Sequence, residues 1–380
     1  MKNILKTILL FYVVFVFSLT AFSQAPATIS WHSIPPGYTG DSILLGAPFS
    51  GAITSSPNNP DILYVSVGTF RKNKIVKVNL TTKDVFEVTG DVFGSIGGMA
   101  VLPTEDLIII DNDDNTTNPL PGECVLIAKD LNSDGDFKDT NEIVKLIDPI
   151  LIESGTFTGA QARVVPSGGV QGIPGGSLMY QDADGSNFGD LFVVINPTSS
   201  ITAQFRPSSG SFFRGFDYNG GFDFTSSGII YSASTTSAFH GIIYALNNLN
   251  GNERIDAGEW NDAVSTTTLA WTGVSDLIID GEDDVFFTSS TFPYPSIMTF
   301  HSLADPLNQR ATPTIFASAD SAWLSAICIN TKSRSFEPNE GPSGATLIVS
   351  GYTNLWASAM NLLTLTPSPV SRVDNWMDYK

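Results

Sequence analysis

Gly97-Gly98-Met99-Ala100-Val101-Leu102-Pro103-Thr104-Glu105-Asp106-Leu107-Ile108-Ile109-Ile110-Asp111-Asn112-Asp113 decides the fold. Two apolar runs of strand length flank a polar turn, and the second ends in small polar residues. The same ending recurs at Leu63–Thr69 (LYVSVGT), Phe192–Thr198 (FVVINPT), Ile230–Thr235 (IYSAST), Phe286–Thr291 (FFTSST) and Ile348–Thr353 (IVSGYT). Another strand and turn precede these runs, as GGFDFTSSG and VSDLIIDGEDD show. A third strand follows, as in KIVKVNL, CVLIAKD and GIIYALN, and a fourth closes the set, as in DVFEVTG, EIVKLI and VSTTTLAW.

Four strands repeated at intervals of roughly 45–80 residues are the signature of propeller blades. Helical periodicity is almost absent, so the fold class is all-β, a six-bladed β-propeller of four-stranded blades. Radial repetition protects the sheet edges without long helices or disulfides. The alternatives are a pair of β-sandwiches, or a seventh blade assembled from Ile29 to Leu45 and the C-terminal strand. Trp31 to Ser42 can instead supply the outer strand of the last blade and close the ring. The uneven spacing points to inserts after the second blade, around Ser154 to Gln171.

Ahead of the repeats, Lys2 and Lys6 precede an apolar run from Ile8 to Leu19, and Ala21-Phe22-Ser23 fits a small-x-small cleavage site. Residues 1–23 therefore read as a signal peptide and 24–380 as a single propeller domain, secreted or periplasmic. No later stretch is apolar for long enough to span a membrane. The net charge of −19 repels phosphate backbones and argues against a nucleic-acid partner. With 42% hydrophobic and 15% charged residues the chain is globular. Export permits a disulfide between Cys124 and Cys328, and the sequence leaves their pairing open.

Three acidic segments have the spacing of calcium loops, in which six to eight oxygens converge on a hard cation. The first offers Asp130, Asn132, Asp134, Asp136 and Glu142 around the turn residue Gly135, and resembles an EF-hand loop with one extra residue. The second offers Asn248, Asn250, Asn252, Asp256 and Glu259, with Glu253 where a turn glycine is usual, so its charge and expected affinity are lower. Both fall between third and fourth strands, at the periphery of the face where hairpins 1–2 and 3–4 open. The third, with Asp182, Asp184 and Asp190, resembles the FG-GAP calcium loop of a 1–2 hairpin. Up to three structural Ca2+ sites are expected, each stiffening a hairpin rather than polarising a substrate.

The GGMAV…DLIIID pattern and its echoes resemble bacterial NHL-type and gluconolactonase-type propellers over most of Ser50 to Leu365. Substrate chemistry is then expected on the opposite face, where connections 2–3 and 4–1 meet the central channel. Asp111, Asn112, Asp113, Asn196, His240, Tyr294, Tyr352 and Trp356 are assigned to 2–3 connections, and Arg163 and Trp323 to 4–1 connections. Aromatic, Asn and Asp side chains together suit sugars, since rings stack on C–H faces and polar groups bond hydroxyls. The resemblance implies a channel metal held by Glu, Asn and Asp, for which Asn112, Asp113 and Asn196 stand available, yet no matching N-terminal Glu is present. Binding of a glycan or an exported protein is the leading expectation. A sugar- or lactone-acting enzyme, with His240, a tyrosine of this face and Arg163 as a proton-abstracting group, and a structural assembly module are the alternatives.

Overall fold

The structure, a computed structural model, describes residues 29–45, 51–69, 71–112, 124–147, 159–183, 189–195, 197, 204–206, 213–216, 219–236, 240–252, 254–270, 272–290, 294–320, 323–330, 345–352 and 360–368. Two N-terminal strands come first, β1 (Trp31–Ser33) and β2 (Tyr38–Leu44). Blade 1 contains β3 (Ile53–Ser55), β4 (Ile62–Thr69), β5 (Lys72–Asn79) and β6 (Val85–Glu87). Blade 2 contains β7 (Ile96–Val101), β8 (Leu107–Asp111), β9 (Cys124–Ala128) and β10 (Ile143–Ile147). Blade 3 contains β11 (Gly159–Val164), β12 (Leu178–Ala183), β13 (Gly189–Ile195) and β14 (Gln204–Arg206), and β15 (Phe213–Phe216) also pairs with β13. Blade 4 contains β16 (Asn219–Phe224), β17 (Ile230–Thr235), β18 (Gly241–Leu246) and β19 (Trp260–Val264). Blade 5 contains β20 (Val274–Ile279), β21 (Asp284–Ser289), β22 (Ser296–His301) and β23 (Thr314–Ala319). Blade 6 contains β24 (Trp323–Ile329), β25 (Leu347–Tyr352) and β26 (Met360–Pro367).

All pairings are antiparallel, and the first strands pack in a closed cycle: β3, β7, β11, β16, β20, β24 and back to β3. The ring therefore has six blades, not seven, and is not a pair of sandwiches. Its closure rests on a hydrogen-bonded ladder between the two ends of the chain: β2 pairs with β26 over Tyr38–Leu44 and supplies the fourth strand of blade 6. This is the closing role expected of the early segment. β1 does something further, adding a fifth strand to blade 5 through Trp31 and Ser33.

Strand composition follows from this geometry. Each blade is covered on both faces, so a second strand such as Leu107–Asp111 is buried throughout. Leu107 and Ile109 pack toward blade 1, and Ile108 and Ile110 toward blade 3. Among the described residues the apolar core divides into six clusters, one at each blade junction. Cys124 and Cys328 belong to different clusters and no disulfide joins them.

Several placements differ from the sequence-based expectation. Outside blade 3, Trp323 opens the innermost strand β24 rather than lying in a 4–1 connection, and Asp111 and Tyr352 end the second strands β8 and β25 rather than lying in 2–3 connections. The fourth strand of blade 4 is Trp260–Val264, just ahead of most of the VSTTTLAW run. Blade 3 causes three further departures. Its second strand is Leu178–Ala183, so the FVVINPT run belongs to the third strand and Asn196 follows that strand rather than a second one. Asp182 and Asp190 consequently oppose one another across a 2–3 hairpin, not a 1–2 hairpin. Arg163 is part of the innermost strand β11 and not of a 4–1 connection. The short Gly159–Val164 strand reads as an insert because Gln161 and Arg163 interrupt its apolar pattern; they face the channel while Ala162 and Val164 face the core. Residues 1–23, expected to be a signal peptide, and residues Asp113, Asp184, Asn196, Glu253 and Trp356 lie outside the described residues.

Candidate functional site

The small polar residues that end each sequence repeat have a buried task. In five blades the register between first and second strands shifts, leaving first-strand amides without a ladder partner. Second-strand side chains take up such amides. Thr288 Oγ1 accepts the Asp276 N–H at 3.0 Å, and Ser350 Oγ accepts the Ala326 N–H at 3.0 Å. Just ahead of the first strands, Ser66 Oγ accepts Ala52 N–H at 2.9 Å in blade 1, whose ladder is regular, and Asp111 accepts Ser95 N–H at 2.8 Å and Gly94 N–H at 3.1 Å. Asp111, a candidate for substrate contact, is thus buried and bound to backbone. Asn112 follows it, with its own N–H on Ser95 O at 2.8 Å.

A second set of buried polar groups reaches from blade to blade around the channel. Gln181 of blade 3 accepts Gly221 N–H of blade 4 at 3.2 Å. Asp223 of blade 4 accepts Ile279 N–H of blade 5 at 2.8 Å. Asp276 of blade 5 accepts Ile327 N–H of blade 6 at 2.9 Å and its neighbour Leu277 N–H at 2.8 Å. Gly221, at φ 81°, makes room for this: a Cβ there would meet Asp276 Oδ1 at 2.2 Å. Arg163 spans from blade 3 to blade 5, with Nη2 3.3 Å from Asp276 Oδ1 and 3.2 Å from Leu277 O, and Nη1 3.2 Å from Gln161 Oε1. Below it a cavity of about 340 Å³ opens at the hairpin end of the channel, lined by Arg163, Cys328, Ser55 and Asn330. Burial pushes the Cys328 thiol up to about 12, so it is a packing group and not a nucleophile.

Both acidic loops lie at 3–4 hairpins, as expected, and each reaches back to the preceding blade. Phe137, eighth in the first loop, is buried in the junction of blades 1 and 2 and donates its N–H to Val88 O at 2.8 Å. Ile255, eighth in the second, packs on the junction of blades 3 and 4, where Gln171 holds Leu246 O and Asn248 N–H at 2.9 and 3.0 Å. Glu142 and Glu259 latch the loops: Glu142 accepts Leu131 and Asp139 N–H, and Glu259 accepts Asn250 and Asp256 N–H, all at 2.9–3.0 Å. The remaining donors of the first loop are oxygens of Asp130, Asn132, Asp134 and Asp136, and the Asn132 amide bridges Asp134 and Asp139. That donor set suits a hard cation. In the second loop the amides of Asn250 and Asn252 already satisfy Asp256 at 2.9 and 2.8 Å, a poorer fit. Among the described residues no group of three or more acidic, His or Cys side chains is close enough to hold a metal ion.

The connection-side face carries the other candidates. His240 sits in the β17–β18 connection, its N–H on Thr236 Oγ1 at 3.2 Å. Trp323 opens β24, half-buried against the junction of blades 6 and 1, and Tyr352 ends β25 opposite it. Tyr294, in the β21–β22 connection, is exposed and stacks on His32 with centroids 3.5 Å apart. His32 Nδ1 lies 3.1 Å from Asp320 Oδ1, whose other oxygen accepts from Ser30 Oγ at 3.4 Å. Neither His32 nor Asp320 is among the residues that the sequence singles out. The pairing of β1 with β23 brings both beside Tyr294, and no local sequence signal announces that pairing.

The fold and these features define a six-bladed β-propeller. The chain aligns with the PQQ-bound form of aldose sugar dehydrogenase from Streptomyces coelicolor at a TM-score of 0.54 and 10% identity, over 87% of this chain and 99% of that one. A protein of unknown function from Dyadobacter fermentans aligns at 0.54 and 9% identity, over 88% and 100%. The allergen Mala s 1 of Malassezia sympodialis aligns at 0.50 and 13%, over 89% and 98%. At these identities the similarity shows the fold alone. No protein-family model and no curated protein matches the chain.

The Asp276 carboxyl is raised from 3.8 to about 6, chiefly by burial, with Asp223 acting the same way and Arg163 and the two amides opposing. A carboxyl raised on folding stabilises the fold fully below about pH 4, and that contribution is lost as pH rises through about 6. Urea unfolding of the parent and Asp276→Asn across this window tests it. The parent should lose stability relative to the variant on going from about pH 4 to about pH 7, by on the order of 2–3 kcal/mol. A pH-independent difference would remove the titration from this site.

Proposed function

We propose that the protein is an exported, calcium-stabilised propeller that binds a neutral glycan on its connection-side face. The observation that carries this is Tyr294, an exposed ring backed by His32 and flanked by the Asp320 carboxylate. The open ring face suits the C–H face of a sugar, and the imidazole and carboxylate suit its hydroxyls. A net charge of −19 disfavours polyanionic glycans. Binding is favoured over sugar- or lactone-cleaving chemistry because Asp111, Asp223 and Asp276 are all bound to backbone amides. An exported protein partner is the second reading. It is supported by Leu131 and Leu249, which occupy the same position in the two loops and are 63% and 66% exposed. Retention on insoluble neutral polysaccharides tests the first reading. Tyr294→Ala should weaken retention by about tenfold or more with an unchanged melting temperature, and equal retention of parent and variant contradicts it.

Calcium enters through the first loop, where Asp130, Asn132, Asp134 and Asp136 would hold it. When bound, the ion neutralises carboxylates that otherwise repel one another. The protein's own part is Phe137, which ties an ordered loop to blade 1, and Glu142, which closes the loop. The second loop and the Asp182–Asp190 hairpin are weaker candidates for the same ion. Chelator should lower the melting temperature of the parent, through ligand linkage, and lower it less in Asp134→Ala. A parent melting curve indifferent to chelator and to added calcium rules out a structural ion.

A further inference from the structure

We propose a second ligand site at the rim of blade 5: a pocket for a single neutral sugar ring, built around the Asp284–His301 pair. The two residues oppose one another directly across β21 and β22, and His301 Nδ1 is 2.7 Å from Asp284 Oδ1. Asp284 is mostly covered, its side chain 18% exposed, whereas His301 is 70% exposed. The carboxylate thus fixes the ring through Nδ1 and leaves Nε2 as the outward hydrogen-bonding edge.

Beside this pair lies a cavity of about 430 Å³, within the range of small-molecule sites. Phe286 and Phe316 line it and pack edge to face at 5.2 Å. Thr299 opposes Phe286 on one side and Thr314 on the other, so these side chains share one face of the sheet. The lining therefore combines ring surface with hydroxyls that both donate and accept. No Lys or Arg lines the cavity among the described residues, so a phosphate or carboxylate would meet no counter-charge. An amine would find one carboxylate already engaged by the imidazole. A ring with an apolar C–H face and several neutral hydroxyls satisfies all of these groups at once. The ligand class rests on the glycan reading above; the location does not.

The chain has only three histidines, so imidazole resonances can be assigned with His301→Gln. Glucose, galactose and N-acetylglucosamine, each titrated alone into the whole protein and followed by imidazole carbon–proton NMR, are the probes. At least one should give a saturable shift of the His301 signal while that of His240 stays in place. Thr299→Val/Thr314→Val should weaken that sugar by about tenfold or more. Absence of any shift with all three sugars, equal shifts at all histidines, or an unchanged affinity in the double variant overturns the site. Retention on polysaccharide that depends on Tyr294 but comes without a His301 shift sinks this pocket and leaves the connection-side reading standing. A His301 shift without polysaccharide retention does the reverse.

Discussion

The ring depends on what happens to backbone amides at its centre. Sheets meeting at a channel do not all keep regular ladders, and in five of the six blades the first strand bulges. Each bulge leaves N–H groups facing a space from which water is largely excluded, where an unmet donor costs about 1–3 kcal/mol. Gln181 answers one of these bulges by accepting Gly221 N–H of the next blade, and Asp223 and Asp276 likewise accept inner-strand amides of the blade that follows, so these hydrogen bonds also join blades. Thr288 and Ser350 accept bulge amides within a blade. Apolar clusters at each junction supply cohesion, but the buried polar groups set the angular order.

That arrangement separates the buried channel acids from the exposed polar and aromatic groups. The acids nearest the channel axis are consumed by amides and by Arg163, whereas exposed acids and rings lie at the periphery. Blade 5 is the clearest case. β1 brings His32 to one end of it, beside Tyr294 and Asp320, and the other end carries Asp284 and His301. The N-terminal segment thereby contributes twice, with β2 closing blade 6 and β1 adding His32 to the surface of blade 5. The acidic loops act as clasps between blades 1 and 2 and between blades 3 and 4, through Phe137 and Ile255.

Much of this was legible because the propeller repeats. The endings LYVSVGT, IIIDND, IYSAST, FFTSST and IVSGYT mark second strands correctly, and in FFTSST and IVSGYT the polar residues Thr288 and Ser350 are the ones that meet a bulge. Blade 3 misled because FVVINPT has the same composition while its Asp-rich hairpin joins strands two and three. Arg163 was misplaced because a charged residue in a six-residue strand looks like a loop residue; only the Asp276 partner, over a hundred positions away, explains it. His32 and Asp320 are likewise joined by long-range pairing, which leaves no local pattern. Asp111 shows the converse limit: a polar residue at a strand end reads equally as a ligand-binding group or as a buried amide acceptor.

The most direct test of this division is the unfolding free energy of Asp276→Ala at about pH 7. Removing the carboxylate strands Arg163 and the Ile327 amide together, and breaking a buried pair from one side typically costs about 3–5 kcal/mol. A loss of that size, with Tyr294-dependent retention intact in the folded variant, is the expected result. A variant as stable as the parent but unable to bind would show that the channel acids serve the ligand and not the ring.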